Sequence, residues 1–373
     1  MITRDLEVEI GKKLFGGKAI IIMGARQTGK TTLLKKITKN QEDVLWLNAD
    51  EVDTIALFEN VSSIRLKSIF AGKKIIVIDE AQRISNIGIK LKLITDQIPE
   101  IQLLATGSSA FELANKINEP LTGRKWEYKL FPLSFSEMVK HIGLLEENRM
   151  MPHRLIYGYY PDVINNPGKE KEILKQLSDS YLYKDILMWE HIKKPEKLLK
   201  LLQALALQLG AEISYNNLAS LLEIDNQTVE KYIQLLEQTY IIFRLPAFSR
   251  NQRKELKRAK KIYFIDNGIR NALLANFNHL ELRSDTGALW ENFILSERFK
   301  YLHYNNIWAN SYFWRTHDQQ EIDYIEEKDG ILNAYEIKWS IKKKPTLSKS
   351  FAKTYPEHEY FVINPQNYDQ FLL

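Results

Sequence analysis

The stretch 19-AIIIMGARQTGKTTLLKKI-37 decides the fold of the N-terminal third of the chain. Its first residues are apolar and predict a buried strand, while its second half predicts a helix. The loop between them has two glycines followed by Lys30 and Thr31, in the spacing G-x-x-x-x-G-K-[ST]. Backbone N–H groups of such a loop bind phosphates; Lys30 would reach the β and γ phosphates, and Thr31 would ligate magnesium. We therefore predict a site for ATP and Mg²⁺. A glycine-rich turn that only joins strand to helix is the weaker alternative, because both flanks of the motif fit.

A second strand, 74-KIIVIDEAQR-83, ends in two carboxylates. Its consecutive apolar residues predict a central position in a parallel sheet, so Asp79 and Glu80 would emerge at the carboxyl edge, where open α/β sheets bind ligands. Asp79 would hold the magnesium ion, directly or through water, and Glu80 would orient or deprotonate the attacking water. A polar strand end followed by a helix cap is the alternative for one acid alone.

Two further strands, 43-DVLWLN-48 and 101-IQLLATGSS-109, complete the predicted sheet. Thr106 and Ser108 lie at the polar exit of the latter, where a residue that senses the γ phosphate is expected, although Thr-Gly-Ser is also common in turns. The predicted nucleotide-binding residues are Gly24, Ala25, Arg26, Gln27, Thr28, Gly29, Lys30, Thr31, Thr32, Asp79 and Ser108.

Arg124 immediately precedes a predicted fifth strand within 121-LTGRKWEYKLFPLSF-135. An arginine at this place could stabilise transition-state charge on the nucleotide of a neighbouring subunit, which would require a homo-oligomer. A solvent-exposed structural arginine is an equally supported alternative.

These elements resemble, in their order, the core of an AAA+ ATPase. The segment 157-YGYYPDVI-164 looks like the Gly-Gly-x-Pro signature in the lid of prokaryotic members of that superfamily, with Gly158-Tyr159 where two glycines are usual. Over nearly its whole length the chain resembles a family of uncharacterised bacterial and archaeal ATPases that join an AAA+ module to a nuclease-like C-terminal domain. The resemblance implies this architecture more readily than it implies a substrate.

The composition limits the classes of function that remain. With 373 residues, the chain favours two or three domains. It has no cysteine, which excludes disulfides, thiolate metal sites and a cysteine nucleophile. Its apolar runs are of strand length, so we expect a cytoplasmic protein with no membrane partner. The net charge of +5 is mild, and a nucleic-acid surface would have to come from local clusters of basic residues.

The middle of the chain predicts a helix-turn-helix followed by a strand. Two amphipathic stretches, 214-SYNNLASLL-222 and 227-QTVEKYIQLLEQTYII-242, are joined by a short polar connection, and 238-QTYIIFRLPAF-248 would enter the first wing of a winged helix. The second helix would expose Glu230 and Lys231 together, so its surface is hardly basic. A structural or interdomain role is as well supported as a base-reading one.

A basic segment, 250-RNQRKELKRAKK-261, follows this module. Its lysines and arginines outnumber the single acid, Glu255, and such a segment can neutralise phosphates and bind nucleic acid, DNA in particular, without reading its sequence. A solvated charged loop is the alternative.

The stretch 321-EIDYIEEKDGILNAYEIKW-339 has the alternation of a β-hairpin around a two-residue Asp-Gly turn. This turn places Asp323 opposite Glu336 and Glu321 opposite Lys338, all on one face of the ribbon. An acid that faces another acid destabilises a hairpin unless a cation lies between them. The pattern therefore predicts a bound cation, and Glu321 is expected to be the salt-bridge partner of Lys338.

The order of helix, three antiparallel strands, helix and strand over residues 287–364 resembles the restriction-endonuclease-like PD-(D/E)XK core. Asp323 and the Glu336-x-Lys338 triplet match its motif, with Ile322 where a proline is usual, and Glu291 matches an acid often found on its first helix. Opposed carboxylates suit Mg²⁺ or Mn²⁺, and Lys338 could orient the attacking water. An exposed hairpin face carrying ion pairs is the alternative.

These motifs together predict the reactive residues of two sites. The predicted metal ligands are Thr31 and Asp79 in the N-terminal site and Asp323 and Glu336 in the C-terminal site. The predicted catalytic residues are Glu80, Arg124, Asp323, Glu336, Lys338 and Glu291.

The sequence thus predicts an α/β protein with four parts. They are a P-loop AAA+ parallel-sheet domain (1–135), a helical lid (136–197), a winged-helix middle domain (198–262) and a restriction-endonuclease-like α/β C-terminal domain (263–373). The predicted function is an ATPase coupled to a metal-dependent nuclease-like domain that acts on DNA. The alternative is a nucleotide-controlled switch or binding module whose nuclease-like domain is catalytically inactive.

Overall fold

The computed structural model of the chain describes residues 1–107, 117, 121–187, 194–249, 260–316, 318–340 and 345–373. Ser108 and the first ten residues of the basic segment 250–261 lie outside the described residues. The chain divides into two compact units. The first is Met1–Leu133 with Gln238–Tyr240, and the second is Ser134–Glu237 with Ile241–Leu373. The boundaries predicted at 197/198 and 262/263 both fall inside the second unit.

The first unit is built on a five-stranded parallel sheet, as the sequence predicted. Its strands are β1 (Ala19–Met23), β2 (Val44–Asn48), β3 (Ile75–Asp79), β4 (Gln102–Gly107) and β5 (Lys125–Lys129). The described helices are α1 (Asp5–Gly11), α2 (Lys30–Thr38), α3 (Val52–Phe58), α4 (Ser63–Ile69) and α5 (Ile87–Gln97), with a 3₁₀ turn at Ala81–Arg83.

The strand order β2-β3-β4-β1-β5 explains why polar residues gather at one edge. Every residue of β1, β3 and β4 is buried, which fits their central positions in a parallel sheet covered on both faces. Because the strands run in the same direction, their carboxyl ends meet at one edge of the sheet. The chain leaves β1 and returns in β2, beyond β4 and β3, and such a switch in strand order is where open α/β sheets bind ligands.

The second unit begins with helices and continues into two small sheets. Its described helices are α6 (Phe135–Ile142), α7 (Leu144–Arg149), α8 (Met151–Tyr157), α9 (Pro161–Asn165), α10 (Glu170–Leu187), α11 (Pro195–Leu207), α12 (Tyr215–Leu222), α13 (Asn226–Gln238), α14 (Asn267–Leu273), α15 (Thr286–Tyr304), α16 (Lys349–Thr354) and α17 (Asp369–Leu372), with a 3₁₀ turn at Leu280–Leu282. Its strands are β6 (Glu212–Ile213), β7 (Ile242–Pro246), β8 (Lys260–Phe264), β9 (Asn310–Arg315), β10 (Glu321–Lys328), β11 (Ile331–Ile337) and β12 (His358–Ile363).

The predicted lid motif lies between α8 and α9. Gly158 has φ 71°, and a Cβ built on it would lie 2.1 Å from a carboxylate oxygen of Asp266, so a side chain has no room there. The same carboxylate accepts a hydrogen bond from the backbone N–H of Tyr159 at 2.7 Å. The first glycine of the signature is therefore needed for close packing against the start of α14, whereas the second position accepts the buried Tyr159.

The smaller sheet of the second unit has the antiparallel order β6-β8-β7. It follows the sequence of helices α11, α12 and α13, with β6 inserted between α11 and α12. Ser214 begins α12 by accepting a hydrogen bond from the N–H of Asn217 at 3.3 Å, as an N-cap residue does. Strand β8 extends through Phe264 and so crosses the boundary predicted at 262/263.

The larger sheet has the order β12-β11-β10-β9, with β12 parallel to β11 and the other pairs antiparallel. The hairpin register is confirmed: Tyr324 pairs with Tyr335, and Lys328 pairs with Ile331. Asp329 and Gly330 both have positive φ, at 52° and 83°, as the primed turn favoured by an Asp-Gly pair requires.

An apolar cluster lies between this sheet and α16. It consists of Phe248, Trp314, Ile322, Ile325, Leu332, Ala334, Phe351 and Tyr355. On another side, α15 is buried along most of its length and carries Glu291 towards β8. The C-terminal sheet thus has one face packed for stability, while its hairpin also carries the predicted reactive residues.

Among the described residues, no helix combines the length and the apolar character needed to cross a membrane.

Candidate active sites

The loop Gly24–Thr31 follows β1 at the carboxyl edge of the parallel sheet. A Cβ on Gly24 would lie 2.2 Å from the backbone oxygen of Leu130, so only glycine fits this contact. Gly29 has φ 95°, in the left-handed region that favours glycine, and it immediately precedes α2. The ammonium group of Lys30 lies 2.8 Å from the backbone oxygens of both Gly24 and Ala25. The cradle, its helix N-terminus and its lysine suit a bound phosphate chain.

Asp79 lies at the end of β3 between two threonine hydroxyls. Thr31 donates to one carboxylate oxygen at 2.7 Å, and Thr106, at the end of β4, donates to the other. Thr106 in turn accepts the backbone N–H of Glu80 at 3.1 Å. A threonine hydroxyl beside a carboxylate is the oxygen donor pair that Mg²⁺ takes in phosphate-loop sites, so these residues fit the implied metal ion. Of the two polar residues predicted at the exit of β4, Thr106 donates a hydrogen bond to Asp79. Ser108 lies outside the described residues.

Glu80 occupies a strained backbone position, with φ 53° and ψ 41°. This left-handed conformation is costly for a residue with a side chain, and such strain tends to be found at functional sites. Its carboxylate accepts a hydrogen bond from the amide of Gln82 at 2.5 Å. Glu80 is thus held at the same sheet edge as Asp79.

Arg4 is a functional candidate that the sequence did not reveal. Its buried guanidinium donates to the backbone oxygen of Thr28 in the loop at 2.7 Å and to that of Phe131 at 2.7 Å. Arg4 therefore links the loop Gly24–Thr31 to the residues that follow β5. A single arginine ahead of a short helix gives no sequence signal for this contact.

Arg124 precedes β5 and lies at the sheet edge opposite the phosphate loop, because β5 runs parallel to β1. Its guanidinium forms an ion pair with Asp96 at 2.6 Å and is 42% exposed. Within its own chain it lies away from the Lys30 cradle. Both predicted roles, action on a neighbouring subunit and a structural surface position, are compatible with this geometry.

The C-terminal hairpin brings Asp323, Glu336 and Lys338 together. The ammonium of Lys338 lies 2.7 Å from Glu336 and 3.1 Å from Asp323. Asp323 also accepts the backbone N–H of Ile337 at 2.8 Å. The cation that two opposed carboxylates require is therefore supplied by a lysine of the same hairpin.

Burial opposes the charge on Lys338, but Asp323 and Glu336 outweigh it and raise the pKa of this lysine above its usual range. Burial, and then the charge of Asp323, raise the pKa of Glu336, although Lys338 opposes the shift. The ammonium of Lys338 is thus stably charged, and it stabilises the ionised form of the acid beside it.

The prediction that Glu321 forms a salt bridge with Lys338 was wrong. Glu321 contacts Lys261 of β8 at 2.5 Å and Arg315 of β9 at 3.6 Å. The pairing of β10 with β9 is irregular between Ile322 and Ile325, and β11 ends at Ile337, so the regular ladder does not continue to the position where Glu321 and Lys338 would face each other. The register of the β10–β11 hairpin could not show that the cations beside Glu321 come from β8 and β9.

Glu291, on α15, contacts two residues of β8. Its carboxylate accepts a hydrogen bond from the hydroxyl of Tyr263 at 2.5 Å and lies 3.5 Å from the ammonium of Lys261. Asn292, the next residue, forms hydrogen bonds with both the backbone N–H and the backbone oxygen of Phe264, which fixes α15 against β8. Burial raises the pKa of Glu291 to about 7, opposed by Lys261 and reinforced by Asp323.

The phosphate-binding role that the sequence predicted for Lys261 was wrong. This lysine was counted with the phosphate-binding residues of 250–261, yet it is 3% exposed and lies in ion pairs with Glu291 and Glu321. Strand alternation offered a signal, since Lys261 and Tyr263 point to the same face of β8. The remaining described residue of that segment, Lys260, lies 5.9 Å from the ring centroid of Tyr215.

The fit of a divalent ion to the C-terminal site is partial. Asp323 and Glu336 are hard oxygen donors of the kind that Mg²⁺ and Mn²⁺ prefer. Within the described part of the chain, however, no group of three or more histidines and carboxylates is arranged to hold a metal ion. A metal ion could bind Asp323 and Glu336 once Lys338 had moved away from them. A third carboxylate ligand, Glu291 or Glu321, would also have to break its ion pair with Lys261.

Three family descriptions match consecutive parts of the chain. Residues 16–139 match an AAA domain, residues 148–280 match a domain of unknown function (DUF8612), and residues 286–372 match a second domain of unknown function (DUF4143). The first match contains the whole phosphate loop together with Asp79 and Glu80.

Curated relatives are similar along most of the chain. An uncharacterised protein of Methanocaldococcus jannaschii is 26% identical over 372 residues, covering 92% of this chain and 80% of that protein. An uncharacterised protein of Mycobacterium tuberculosis is 26% identical over 351 residues, covering 93% of this chain and 76% of that protein. The similarity therefore extends across both compact units.

A solved structure shares the fold. The Walker-type ATPase of Pyrococcus abyssi superposes with a TM-score of 0.52 at 15% sequence identity, covering 74% of this chain and 96% of that chain. Together with the AAA-domain match over residues 16–139 and the geometry of Gly24–Thr31, this likeness shows that the N-terminal part of the chain has the fold of a P-loop ATPase.

Proposed function

We propose that the chain hydrolyses ATP with Mg²⁺ at Gly24–Thr31 and couples this cycle to a metal-dependent nuclease-like domain that acts on DNA. The N-terminal half of the proposal rests on the AAA-like ATPase domain. Its C-terminal half rests on one observation: Lys338 lies within 3.1 Å of both Asp323 and Glu336, on a hairpin whose residues resemble the PD-(D/E)XK motif.

In the proposed ATPase site, the chain's own residues divide the work of binding and hydrolysis. Lys30 leaves the loop carbonyls to contact the phosphates, while the N-terminus of α2 contributes backbone N–H donors. Thr31 and Asp79 would hold the magnesium ion, which would supply positive charge to offset that of the phosphates. Glu80 orients and accepts a proton from the attacking water. The hydroxyl of Thr106 fixes the positions of Asp79 and of the Glu80 backbone through its two hydrogen bonds.

In the proposed nuclease-like site, Asp323 and Glu336 would hold the metal ion, and Lys338 would orient water and offset phosphate charge. The bound ion would supply Lewis-acid activation of the scissile phosphate. Lys338 contacts both acids, so its ammonium lies at the place where a metal-bound phosphate would be expected to bind. Glu291 lies beside this set as a half-buried acid whose raised pKa suits proton transfer.

The proposal that DNA is the nucleic acid draws on the middle of the chain. The order α11, β6, α12, α13, β7, β8, with β8 pairing with both other strands, supports a winged helix. The exposed face of α13 carries Glu230 beside Lys231, which supports contact with phosphates or with protein more than base reading. Lys261 does not contribute to a DNA-binding surface, because it is buried in ion pairs.

A homo-oligomer is proposed from Arg124 alone. Its position opposite its own phosphate loop leaves the nucleotide of a neighbouring subunit as the place where it could act. If so, mixing Arg124→Ala with Lys30→Ala chains should restore part of the ATPase activity that each lacks alone. Full turnover by a strictly monomeric Arg124→Ala protein would contradict this role.

The experiment that tests the proposed function is a cleavage assay with full-length protein. Plasmid, linear and single-stranded DNA, and RNA, are each incubated with Mg²⁺ or Mn²⁺, with and without ATP. Wild type should cut DNA, Asp323→Asn should not, and Glu327→Gln should cut normally. Glu327 is a suitable control because it lies on the same strand, and its side chain accepts a hydrogen bond from Asn310 at 3.3 Å rather than contacting Asp323, Glu336 or Lys338. Absence of cutting on every substrate would contradict the nuclease proposal.

The second candidate is a nucleotide-controlled switch or binding module with an inactive nuclease-like domain. The observation in its favour is that Lys338 and Lys261 between them contact Asp323, Glu336, Glu291 and Glu321. Each of these four acids thus has a lysine partner without a metal ion. This candidate predicts nucleic-acid or protein binding that changes with ATP, with no cleavage and no Mn²⁺ binding that depends on Asp323.

A further inference from the structure

Arg4 and Lys30 both hold backbone carbonyl groups of the phosphate loop, and the proposed mechanism uses Lys30 alone. The ammonium of Lys30 lies 2.8 Å from the backbone oxygens of Gly24 and Ala25, and it has to leave them in order to contact the phosphates. The guanidinium of Arg4 donates to the backbone oxygen of Thr28 at 2.7 Å. Because Arg4 holds a different carbonyl, it can keep this contact when a nucleotide binds.

The backbone of Arg4 is fixed by the helix that follows it. Its carbonyl oxygen accepts the N–H of Glu7 in α1 at 3.1 Å. Leu6 and Ile10 bury one side of this helix, and the carboxylate of Glu7 forms an ion pair with Lys36 of α2 at 2.7 Å. Helix α1 is therefore joined to the helix that begins at the phosphate loop, and the side chain of Arg4 reaches the loop from a supported position.

The guanidinium of Arg4 is also anchored on a second carbonyl. It donates to the backbone oxygen of Phe131 at 2.7 Å. The preceding residue, Leu130, is bound to β1, because its N–H donates to the backbone oxygen of Met23 at 2.7 Å, and both Leu130 and Phe131 are buried. Arg4 thus bridges the loop and a fixed segment with two donors of its planar fork, an arrangement that a lysine ammonium does not reproduce.

The carbonyl that Arg4 holds belongs to the same peptide as the N–H of Gly29. A peptide is planar, and in its trans form the C=O and the N–H point in opposite directions; the structure has no cis peptide among the described residues. While the oxygen of Thr28 points to Arg4, the N–H of Gly29 therefore points away from it. Phosphate loops bind their ligand through backbone N–H groups, so the orientation of this peptide affects phosphate binding.

We propose that Arg4 is a positioning residue of the ATPase site, which holds the Thr28 carbonyl so that the N–H of Gly29 is fixed as a donor to a nucleotide phosphate. The inference rests on the ATPase part of the proposed function and deepens it. Arg4 acts through the Thr28–Gly29 peptide and does not contact the phosphates. Its effect is to strengthen ATP binding, while the chemical step assigned to Glu80 does not depend on it.

The test compares full-length wild type, Arg4→Ala, Arg4→Lys and Arg65→Ala in the presence of Mg²⁺. Affinity is measured by titration with the fluorescent analogue N-methylanthraniloyl-ATP, and turnover by steady-state release of phosphate from ATP. Both Arg4 variants should bind the analogue roughly tenfold or more weakly, the scale of a lost hydrogen bond to a charged group. Arg65→Ala, which changes an exposed arginine of α4, should equal wild type.

The split between KM and kcat distinguishes positioning from a general loss of structure. The KM for ATP should rise in both Arg4 variants, while kcat at saturating ATP should stay within about threefold of wild type, as for an interaction made equally with bound substrate and transition state. Thermal melting without nucleotide checks that each variant is folded at the assay temperature. If Arg4→Ala does not fold, Arg4→Lys decides, because it keeps the charge and loses only the two-carbonyl bridge.

The outcomes separate this inference from the proposed function. Wild-type affinity in the Arg4 variants that fold overturns the positioning role and leaves the ATPase proposal standing. Wild-type affinity in Arg4→Lys with a loss in Arg4→Ala also overturns it, because charge alone would then suffice. A fall in kcat as large as the rise in KM contradicts it as well. Unchanged binding in Lys30→Ala, or no ATP binding by wild type, overturns the ATPase proposal and this inference with it.

Discussion

The two candidate sites differ in what holds their carboxylates. In the N-terminal site, Asp79 accepts hydrogen bonds from the hydroxyls of Thr31 and Thr106. In the C-terminal site, Asp323 and Glu336 share the ammonium of Lys338. A carboxylate held by hydroxyls is ready for a metal ion, whereas one held by a lysine must first give up an ion pair. Matching residue types therefore do not imply equal readiness for catalysis.

The largest effect is expected from Lys30→Ala. Removing the lysine that contacts the phosphates should reduce ATP hydrolysis by about a thousandfold, the upper range for loss of one charge-stabilising donor. Lys35→Ala, an exposed position on the same helix, is the matched control and should hydrolyse ATP normally. Steady-state phosphate release measures the effect. Normal turnover in Lys30→Ala would remove the phosphate-loop site from the account.

Glu80→Gln should separate binding from chemistry. ATP and Mg²⁺ should still bind, because Thr31 and Asp79 are intact, while hydrolysis should slow by about a hundredfold or more through loss of the general base. Nucleotide affinity by fluorescence titration, read beside turnover, distinguishes the two quantities. An equal loss of ATP affinity in Glu80→Gln and Lys30→Ala would contradict the separate roles assigned to these residues.

The N-terminal sheet and its site were largely predictable from the sequence, for a physical reason. A buried parallel strand is a continuous apolar run, and the residue that ends it must lie at the ligand-binding edge, so Asp79 could be placed from local pattern alone. The hairpin register was predictable in the same way, because an Asp-Gly turn sets it.

Contacts between residues distant in sequence were not predictable. Arg4 reaches Thr28, and Lys261 reaches Glu321, across separations that no periodicity encodes. The expected salt bridge between Glu321 and Lys338 was wrong for the same reason. The charge pattern of 250–261 concealed the burial of its last lysine, which only the strand alternation with Tyr263 could have indicated.

The C-terminal site should give the chain a distinctive pH dependence. The pKa of Glu291 is raised by burial to about 7 from an ordinary value of 4.5, so the folded state binds more protons between these values than the unfolded state. The free energy of unfolding should therefore fall as pH rises through this interval, by at most about 1.4 kcal/mol per pH unit from this group. Urea melts of wild type across this range measure the slope.

Glu291→Gln is the control for that slope, since its amide does not titrate. The variant should lose this part of the pH dependence, whatever its absolute stability. Identical slopes for wild type and Glu291→Gln would show that Glu291 is not the group responsible, and attention would move to Glu336, whose pKa is also raised.

The smallest effect concerns Asp323→Asn without metal. Repulsion between opposed acids, considered alone, would make this variant more stable than wild type. The observed ion pair with Lys338 reverses the sign, and we expect a loss of about 1 kcal/mol in the free energy of unfolding, since Lys338 is partly exposed and its ion pairs are screened. Urea melts against Glu327→Gln measure the difference. A stabilised Asp323→Asn would show that Lys338 does not neutralise the pair.

The most direct test of the contrast between the two sites is a Mn²⁺ titration of full-length protein with and without ATP, repeated on Lys30→Ala and Asp323→Asn. We predict tight binding that requires ATP and disappears in Lys30→Ala, and weaker binding that needs no ATP and disappears in Asp323→Asn. Nucleotide-free binding through Asp323 that is as tight as the ATP-dependent binding would contradict the claim that lysines hold the C-terminal carboxylates back from a metal ion.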